Sequence, residues 1–367
     1  MSDNDLLDIY LVAPPGLEQA LLQEATAKGF QNPVASIGGV TVQGHWPEVW
    51  RANLELRGAS RILARVGAFR ALHLAQLDKR ARKFPWADVL RPDRPVRVEA
   101  SCKGSRIYHA GAVVQRIEAA IREELGAPVQ DDAEIRIMAR VEDDLCTISV
   151  DTSGELLHRR GHKEAVNKAP LRENLAALFL RECGYEGAEP VLDPMCGSGT
   201  FVIEAAEIAA GLQPGRSRSF AFEQLATFDA RAWAGLARPS GAANVPFRFI
   251  GYDRDAGAVT MSRANAERAG VSALTEFQCQ PIAELRRPEG PSGLVMVNPP
   301  YGARIGNKKL LYGLYAALGE TLKRELSGWR VGLVTSEPSL AKVTGLSFKS
   351  VGAPVPHGGL KVSLYRT

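Results

Sequence analysis

The chain has 367 residues, enough for two or three domains of ordinary size. Hydrophobic residues make up 45% and charged residues 23%, a balance that excludes disordered, collagen-like and coiled-coil classes. No uncharged apolar run reaches the roughly 18 residues of a membrane span. The net charge of +4 conceals an asymmetry, because residues 51–106 carry 14 Lys/Arg against 5 Asp/Glu, or +9, and the remainder carries −5. Such an excess is the footprint of a polyanion-binding surface or, equally, of a solvated basic helix. The start, MSDNDLLDIYLV, is acidic and lacks the basic region of a secretory signal. The five cysteines (Cys102, Cys146, Cys183, Cys196, Cys279) are scattered and form no CxxC pair. Neither a disulfide framework nor a structural zinc site is expected, and the cytoplasm is the expected compartment.

In chain order, residues 8–12 read as a strand, 16–29 as an amphipathic helix stopped by Gly29, and 37–44 as a Gly-Gly turn leading into a strand. A helix over 47–60 and a strand over 61–71 complete a small α+β unit with a ferredoxin-like rhythm. A second α+β unit follows. It has a basic helical stretch (74–90) interrupted at Pro85, a strand (96–104), a strongly periodic helix (109–126) and a hairpin (134–154) turning at 142–144. Residues 156–170 are polar and basic and read as a linker.

From residue 171 the rhythm becomes strand–helix alternation. A strand at 190–195 precedes a helix at 199–210, and a strand at 247–253 precedes a helix running to Gly270. LTEFQC, LVMV and WRVGLVTS are further apolar strands, and two terminal strands join through His357-Gly358-Gly359. Residues 211–246, rich in Gly, Pro, Arg and Ser, read as an insertion after the first helix. Parallel strands with crossover helices and a closing antiparallel hairpin make an α/β, Rossmann-like doubly wound sheet of seven strands. Ligands of such sheets sit beyond the carboxyl ends of the strands.

Three motifs fall there. Asp193-Pro194-Met195-Cys196-Gly197-Ser198-Gly199-Thr200 leads from strand to helix, and its glycines permit a tight turn that a ligand can approach closely. No Walker lysine follows, the third glycine of the dinucleotide fingerprint is missing, and a purely structural glycine turn is the alternative. Asp253, in Gly251-Tyr252-Asp253, ends the second strand, where an acid accepts from both hydroxyls of a ribose. Asp255 is assigned to capping the next helix. The sharpest signal is Asn298-Pro299-Pro300-Tyr301-Gly302. Two prolines take the chain out of the sheet on a rigid backbone. An Asn oxygen and the neighbouring carbonyl can then accept both hydrogens of a planar amino group, which turns its lone pair toward an electrophile. Tyr301 offers a ring for a purine to stack on.

These motifs, in this order, resemble the S-adenosylmethionine-dependent class I methyltransferases that act on exocyclic amino nitrogens. Leu157-His158-Arg159-Arg160-Gly161-His162 and Ala169-Pro170-Leu171-Arg172-Glu173-Asn174-Leu175-Ala176 are similar to the entry to the catalytic domain of bacterial rRNA guanine-N2 methyltransferases. Residues 1–155 are similar to that family's ferredoxin-like and THUMP RNA-binding module. The likeness covers essentially the whole chain and is to the amino-terminal half of the fused large-subunit (23S) rRNA methyltransferases K/L. A chain ending at Thr367 is expected to lack that fusion's second catalytic half.

The resemblance implies a ferredoxin-like domain over 1–70, a THUMP domain over 71–155, a linker over 156–170 and a methyltransferase domain over 171–367. It implies S-adenosylmethionine against Asp193, Pro194, Cys196, Gly197, Ser198, Gly199 and Thr200, with Asp253 on its ribose and Asn298 at its methyl end. Asn298 and Pro299, with Pro300 and Tyr301, would receive a guanine amino group. The family usually shows an acid near the adenine amino group, and here Gln280 stands in that place with an amide oxygen that can accept the same bond. No metal and no catalytic histidine is implied, and the six histidines (His45, His73, His109, His158, His162, His357) read as structural or RNA-facing. RNA would be gripped by Arg80, Arg82, Lys83, Lys103, Arg106, Arg159, Arg160 and Lys163, with Phe84 and Trp86 read as core. The expectation is a monomer acting on rRNA, away from membranes. A tRNA guanine substrate, an adenine or glutamine-amide substrate, and a non-catalytic RNA-binding assembly factor are the alternatives. The RNA module opposes a protein substrate, and the intact motifs oppose a non-catalytic role.

Overall fold

Side chains along Leu7–Val12 (β1) alternate buried and half-buried, the period-two pattern of a strand with one face on a core. The computed structural model describes residues 6–163, 171–237, 244–302 and 308–367. Among the described residues two compact units are present, one of residues 6–13, 22–157 and 218–237, the other of residues 14–21, 158–163, 171–217, 244–302 and 308–367. Residues 164–170 of the expected linker, with Ala169 and Pro170 of the entry segment, lie outside the described residues.

After β1 come α1 (Glu18–Ala27), β2 (Gln31–Ser36), β3 (Gly39–Gly44), α2 (Trp46–Glu55), β4 (Arg61–Arg70), α3 (Leu74–Arg82), β5 (Val96–Lys103), α4 (Ala110–Glu124), β6 (Ile135–Glu142) and β7 (Leu145–Asp151). The seven strands form one sheet in the order β2-β3-β1-β4-β7-β6-β5. β4 pairs with β1 on one side and β7 on the other, so a single sheet runs through both α+β modules. Helix α4 crosses between the parallel β5 and β6 and buries Val113, Ile117, Ala120 and Ile121, a helical stripe. The β6–β7 turn puts Asp143 and Asp144 at φ of 50 and 62, the left-handed pair of a type I′ hairpin. β2 escapes a sequence reading because it is a largely exposed edge strand containing Pro33, a residue tolerated at an edge and not in a central ladder. The basic stretch is α-helical to Arg82 and resumes as one 3-10 turn, Trp86–Asp88, after Pro85. Trp86 is 3% exposed, donates to the Ala81 carbonyl at 2.8 Å and packs on Phe84, as expected of core.

The insertion departs from its compositional reading. Residues 218–237 fold with the first unit. Phe222 is fully buried, stacked on Trp50 at 6.1 Å between ring centroids and edge-on to Trp233 of α7 (Ala230–Leu236) at 5.0 Å. Arg218 donates to the carbonyls of Ser153, Glu155 and Leu156. Four aromatics, Phe220, Phe222, Phe228 and Trp233, anchor a tract that otherwise looks polar.

The second unit holds α5 (Glu173–Glu182), β8 (Val191–Asp193), α6 (Thr200–Ala209), β9 (Phe249–Asp253), α8 (Ala256–Arg268), β10 (Thr275–Cys279), β11 (Leu294–Val297), α9 (Lys308–Glu325), β12 (Arg330–Thr335), α10 (Pro338–Val343), β13 (Ser350–Val351), β14 (Val355–His357) and β15 (Leu360–Arg366). Seven strands run β10-β9-β8-β11-β12-β15-β13, and β14 pairs with β15 off that path. Pairing is parallel from β10 to β12 and antiparallel at β15. The doubly wound sheet with a terminal hairpin is therefore as expected, with the hairpin's outer strand broken into β13 and β14 around Pro354. β8 and β11 are buried at every residue, as strands covered on both faces must be. Strand order reverses between β8 and β11, and a crevice opens at their carboxyl ends.

Candidate active site

β8 ends at Asp193, and a six-residue turn, 194–199, carries the chain into α6. Gly197 has φ of 55 and open space where a Cβ would stand, whereas a Cβ on Gly199, at φ of 83, would lie 3.1 Å from Phe277 and Ser262. The first glycine leaves room at the ligand side, and the second lets the turn settle on its neighbours. The Ser262 hydroxyl donates to the Gly197 carbonyl at 2.8 Å, Asn265 Nδ2 to the Ser198 carbonyl at 3.1 Å, and Cys196 N to the Tyr252 carbonyl at 2.8 Å. Asp253 takes part too. Its Oδ2 accepts from Gly197 N and its Oδ1 from Asp255 N, both at 2.9 Å. Asp255 caps α8 by accepting from Gly257 N at 2.8 Å, the role expected of it.

A cavity of about 500 Å³ opens at the carboxyl ends of β8 to β11. The end of β8 contributes Asp193 to its lining, the turn Pro194, Cys196, Gly197 and Ser198, the start of α6 Thr200, the ends of β9 and β10 Asp253 and Gln280, and the end of β11 Asn298, Pro299, Pro300 and Tyr301. Gly199 is not in the lining, since it packs on Phe277. Sequence reasoning missed the apolar wall of Leu171, Phe201, Ile282 and Leu314, and the exposed Arg254 at the rim. Pro281-Ile282 directly after Gln280 was a readable signal, whereas Leu314 arrives on α9 with none.

Asp193 is 3% exposed, and its Oδ1 accepts from Met195 N at 3.0 Å. Burial pushes its carboxyl well above the usual carboxylate range, with the Asp253 charge adding to the shift. Burial likewise pushes the Cys196 thiol up, so it is no thiolate nucleophile. A cationic group entering here would find two acids to stabilise it. Among the described residues, Asn298 Oδ1 is buried without a hydrogen-bond partner. Leaving such an acceptor unmet costs about 1–3 kcal/mol, and a ligand N–H in the cavity is its natural partner. Tyr301 lines the cavity but is only 2% exposed, so most of its ring is already packed against protein.

The basic residues divide sharply. Arg80, Lys83, Lys103, Arg106 and Arg159 are exposed, with Lys103 and Arg106 close to Glu142 (3.2 Å) and Asp144 (3.9 Å). Arg82 is held by Asp78, Glu123 and Glu124, and so joins α3 to α4 instead of facing solvent as a free cation. Arg160 is buried against the buried Glu204 at 3.3 Å, and Lys163 against Glu173 at 3.2 Å. These two cannot grip a phosphate, because each neutralises a carboxylate inside the fold. His73 and His109 accept from Gln76 N and Ala112 N and cap α3 and α4. Among the described residues no helix is long and apolar enough to cross a membrane.

The strand order of the second unit, with its crevice at the reversal point, is that of a class I methyltransferase domain. Family comparison agrees. Residues 160–363 match the model described as UPF0020, RMKL-like, methyltransferase domain; residues 8–63 match the RlmL ferredoxin-like domain and residues 73–151 the THUMP domain. The chain belongs to the UPF0020 methyltransferase family. It is 35% identical over 361 residues to the ribosomal RNA large subunit methyltransferase K/L of Syntrophotalea carbinolica, covering 93% of this chain and 50% of the relative. The chain thus spans about half the length of the curated relatives it matches. Among solved structures, a predicted N6-adenine-specific DNA methylase from Listeria monocytogenes is 28% identical with a TM-score of 0.88, covering 99% of this chain and 96% of that one. SMU.472, crystallised as a complex with SAH, is 26% identical with a TM-score of 0.87, covering 99% of this chain and 98% of that one.

Proposed function

We propose that this chain is an S-adenosylmethionine-dependent RNA methyltransferase that methylates the exocyclic N2 amino group of a guanosine in 23S rRNA. The observation that carries the reading is the placement of Asn298, whose buried Oδ1 has no hydrogen-bond partner among the described residues, in the lining of the cavity that follows β8 and β11. The residues present suit the donor. Open space at Gly197 accommodates its approach, Asp253 and Gln280 offer acceptors at two strand ends, and Asp193 with Asp253 suits a cation. The SMU.472 structure, with SAH, supports the same assignment. The THUMP match and the rRNA named in the K/L relatives favour RNA, and large-subunit rRNA over tRNA. The chain is taken to work in the cytoplasm as a monomer, with modules at 1–70, 71–155 and 171–367.

When bound, the donor supplies a methyl carbon on a positively charged sulfur that leaves as a neutral thioether. The chain's part is alignment and dryness. Asn298 Oδ1 accepts one amino hydrogen and the Pro299 carbonyl the other, which holds the nitrogen lone pair on the methyl side. The two prolines keep that pair of acceptors in fixed relation. Leu171, Phe201, Ile282 and Leu314 give the cavity an apolar wall. No side chain needs to remove a proton first, because the methylated nitrogen sheds it to solvent afterwards. The target base must leave its stack to reach Asn298.

The test is mass spectrometry of nucleosides from 23S rRNA and tRNA of a strain lacking the gene, before and after incubation with the purified chain and donor. The expected result is N2-methylguanosine missing from 23S rRNA and restored by the protein. Restoration in tRNA instead, or a methyladenosine product, overturns the reading.

A further inference from the structure

We propose that Lys163 is a positioning residue of the methyl-donor site, acting through Thr200 on the amino-acid end of the donor, and that it has no part in gripping RNA. The inference rests on the donor occupying the cavity. Lys163 belongs to a basic tract, yet its side chain is 9% exposed. Its ammonium has three protons to place, and three oxygens meet it: the Leu171 carbonyl at 2.9 Å, Thr200 Oγ1 at 2.9 Å and Glu173 Oε1 at 3.2 Å. Leu171 and Thr200 line the cavity, and Glu173 opens α5. One buried cation therefore fastens the start of α5, the first residue of α6 and its own segment together.

The contact with Thr200 has a chemical consequence. A hydroxyl that accepts from an ammonium must direct its own proton elsewhere, and Thr200 borders the cavity. Polarised by the cation, that proton is a strengthened donor for an anion. It stands in the first turn of α6, whose Gly199 cap makes no side-chain hydrogen bond to the first backbone N–H groups. A helix start favours negative charge. S-adenosylmethionine has one anionic group, the carboxylate of its methionine end. Lys163 thus sets the orientation of a donor that recognises that carboxylate, without touching the ligand.

The experiment uses two probes that share the adenosine and thioether but differ in the amino-acid end: S-adenosylhomocysteine and methylthioadenosine. Their affinities for the wild-type chain, Lys163→Met, Thr200→Val and the double variant are measured by calorimetry, alongside RNA affinity and donor KM and kcat. Each single variant is expected to weaken S-adenosylhomocysteine about tenfold and to leave methylthioadenosine unchanged. The double variant should be no weaker than the worse single one, because both act through one hydrogen bond. Donor KM should rise far more than kcat falls, with RNA affinity unaltered. Thr200→Val keeps the Lys163–Glu173 pair, so it carries the test if Lys163→Met fails to fold. Equal loss for both probes, unchanged S-adenosylhomocysteine affinity, additive losses or weakened RNA binding overturns the proposal. A wild-type chain that binds neither probe overturns the donor assignment itself.

Discussion

The backbone N–H of Gly197 donates to Asp253 Oδ2 at 2.9 Å, so the acid at the end of β9 fastens the glycine turn that follows β8. Asp253 Oδ1 accepts from Asp255 N, which leaves one lone pair on each carboxylate oxygen for a ligand. An acid that a sequence reading gives to the ribose is also the clasp between two loops. Binding and loop geometry are coupled at one carboxylate, and the turn it clasps holds two glycines with separable duties.

Gly197→Ala and Gly199→Ala are expected to fail differently. Both positions have positive φ, which costs an Ala about 1–2 kcal/mol. At Gly197 the new methyl meets open space beside the cavity, so the stability loss should stop there while S-adenosylhomocysteine affinity falls at least about tenfold. At Gly199 the methyl would stand 3.1 Å from Phe277 and Ser262, adding an overpacking cost of about 1–3 kcal/mol. Denaturant melts and ligand titrations of both variants check this. A Gly199→Ala chain as stable as Gly197→Ala would show that the neighbours yield freely.

On the RNA side, Arg80→Glu with Lys83→Glu should weaken binding and flatten the slope of log affinity against log salt by about 1 for each lost phosphate contact. Both side chains are exposed. Arg82→Gln should leave the slope as it is, because its guanidinium is already committed to Asp78, Glu123 and Glu124, and should instead loosen α3 against α4. Filter binding over a salt series distinguishes the two patterns. A slope that answers to Arg82 and ignores the double variant would move the grip elsewhere.

What the sequence made legible follows from how local each signal is. The glycine turn, the acid after β9 and Asn298-Pro299-Pro300 are short runs at strand ends, and the structure gathers all three about one cavity. The doubly wound sheet was legible because strands alternating with helices build parallel βαβ units of one favoured hand. Burial of polar residues was not, since it depends on partners distant in the chain. Arg160 and Lys163 look like a basic surface until Glu204 and Glu173 meet them. β2 hid behind Pro33, and the aromatic anchors of 218–237 hid inside a tract whose average composition is polar. Leu314 reaches the cavity from α9, which no local pattern announces.

Acid should expose another buried relationship. The pKa of His158 is pushed down to about 4, first by burial and then by Arg172, Arg160, Arg159 and Lys163. Unfolded, the same imidazole titrates near 6.5. Between those values the unfolded chain binds more protons, so stability falls as pH drops from 6.5 toward 4 and this contribution levels off below. His158→Gln cannot titrate. Its unfolding free energy relative to wild type should therefore rise across that window, by on the order of 1 kcal/mol once partial exposure is allowed for. Melts of both proteins at pH 7, 5.5 and 4.5 measure it, and a difference independent of pH would refute the depressed pKa.

Asn298→Ala carries the sharpest test of the catalytic assignment, because two quantities should move in opposite senses. Losing an acceptor aligned with the amino group should lower kcat by about a hundredfold or more, with RNA affinity nearly intact. Stability should not fall in step. The oxygen removed is a buried acceptor with no partner among the described residues, so its loss relieves a desolvation cost of about 1–3 kcal/mol that offsets the small cavity left behind. An unchanged or higher melting temperature beside a collapsed kcat is the pattern of a site that holds an unmet group for its substrate. Single-turnover kinetics and a thermal melt of the one variant suffice. A melting temperature lowered by several degrees with turnover preserved would make Asn298 a structural residue and remove the amino-group clamp.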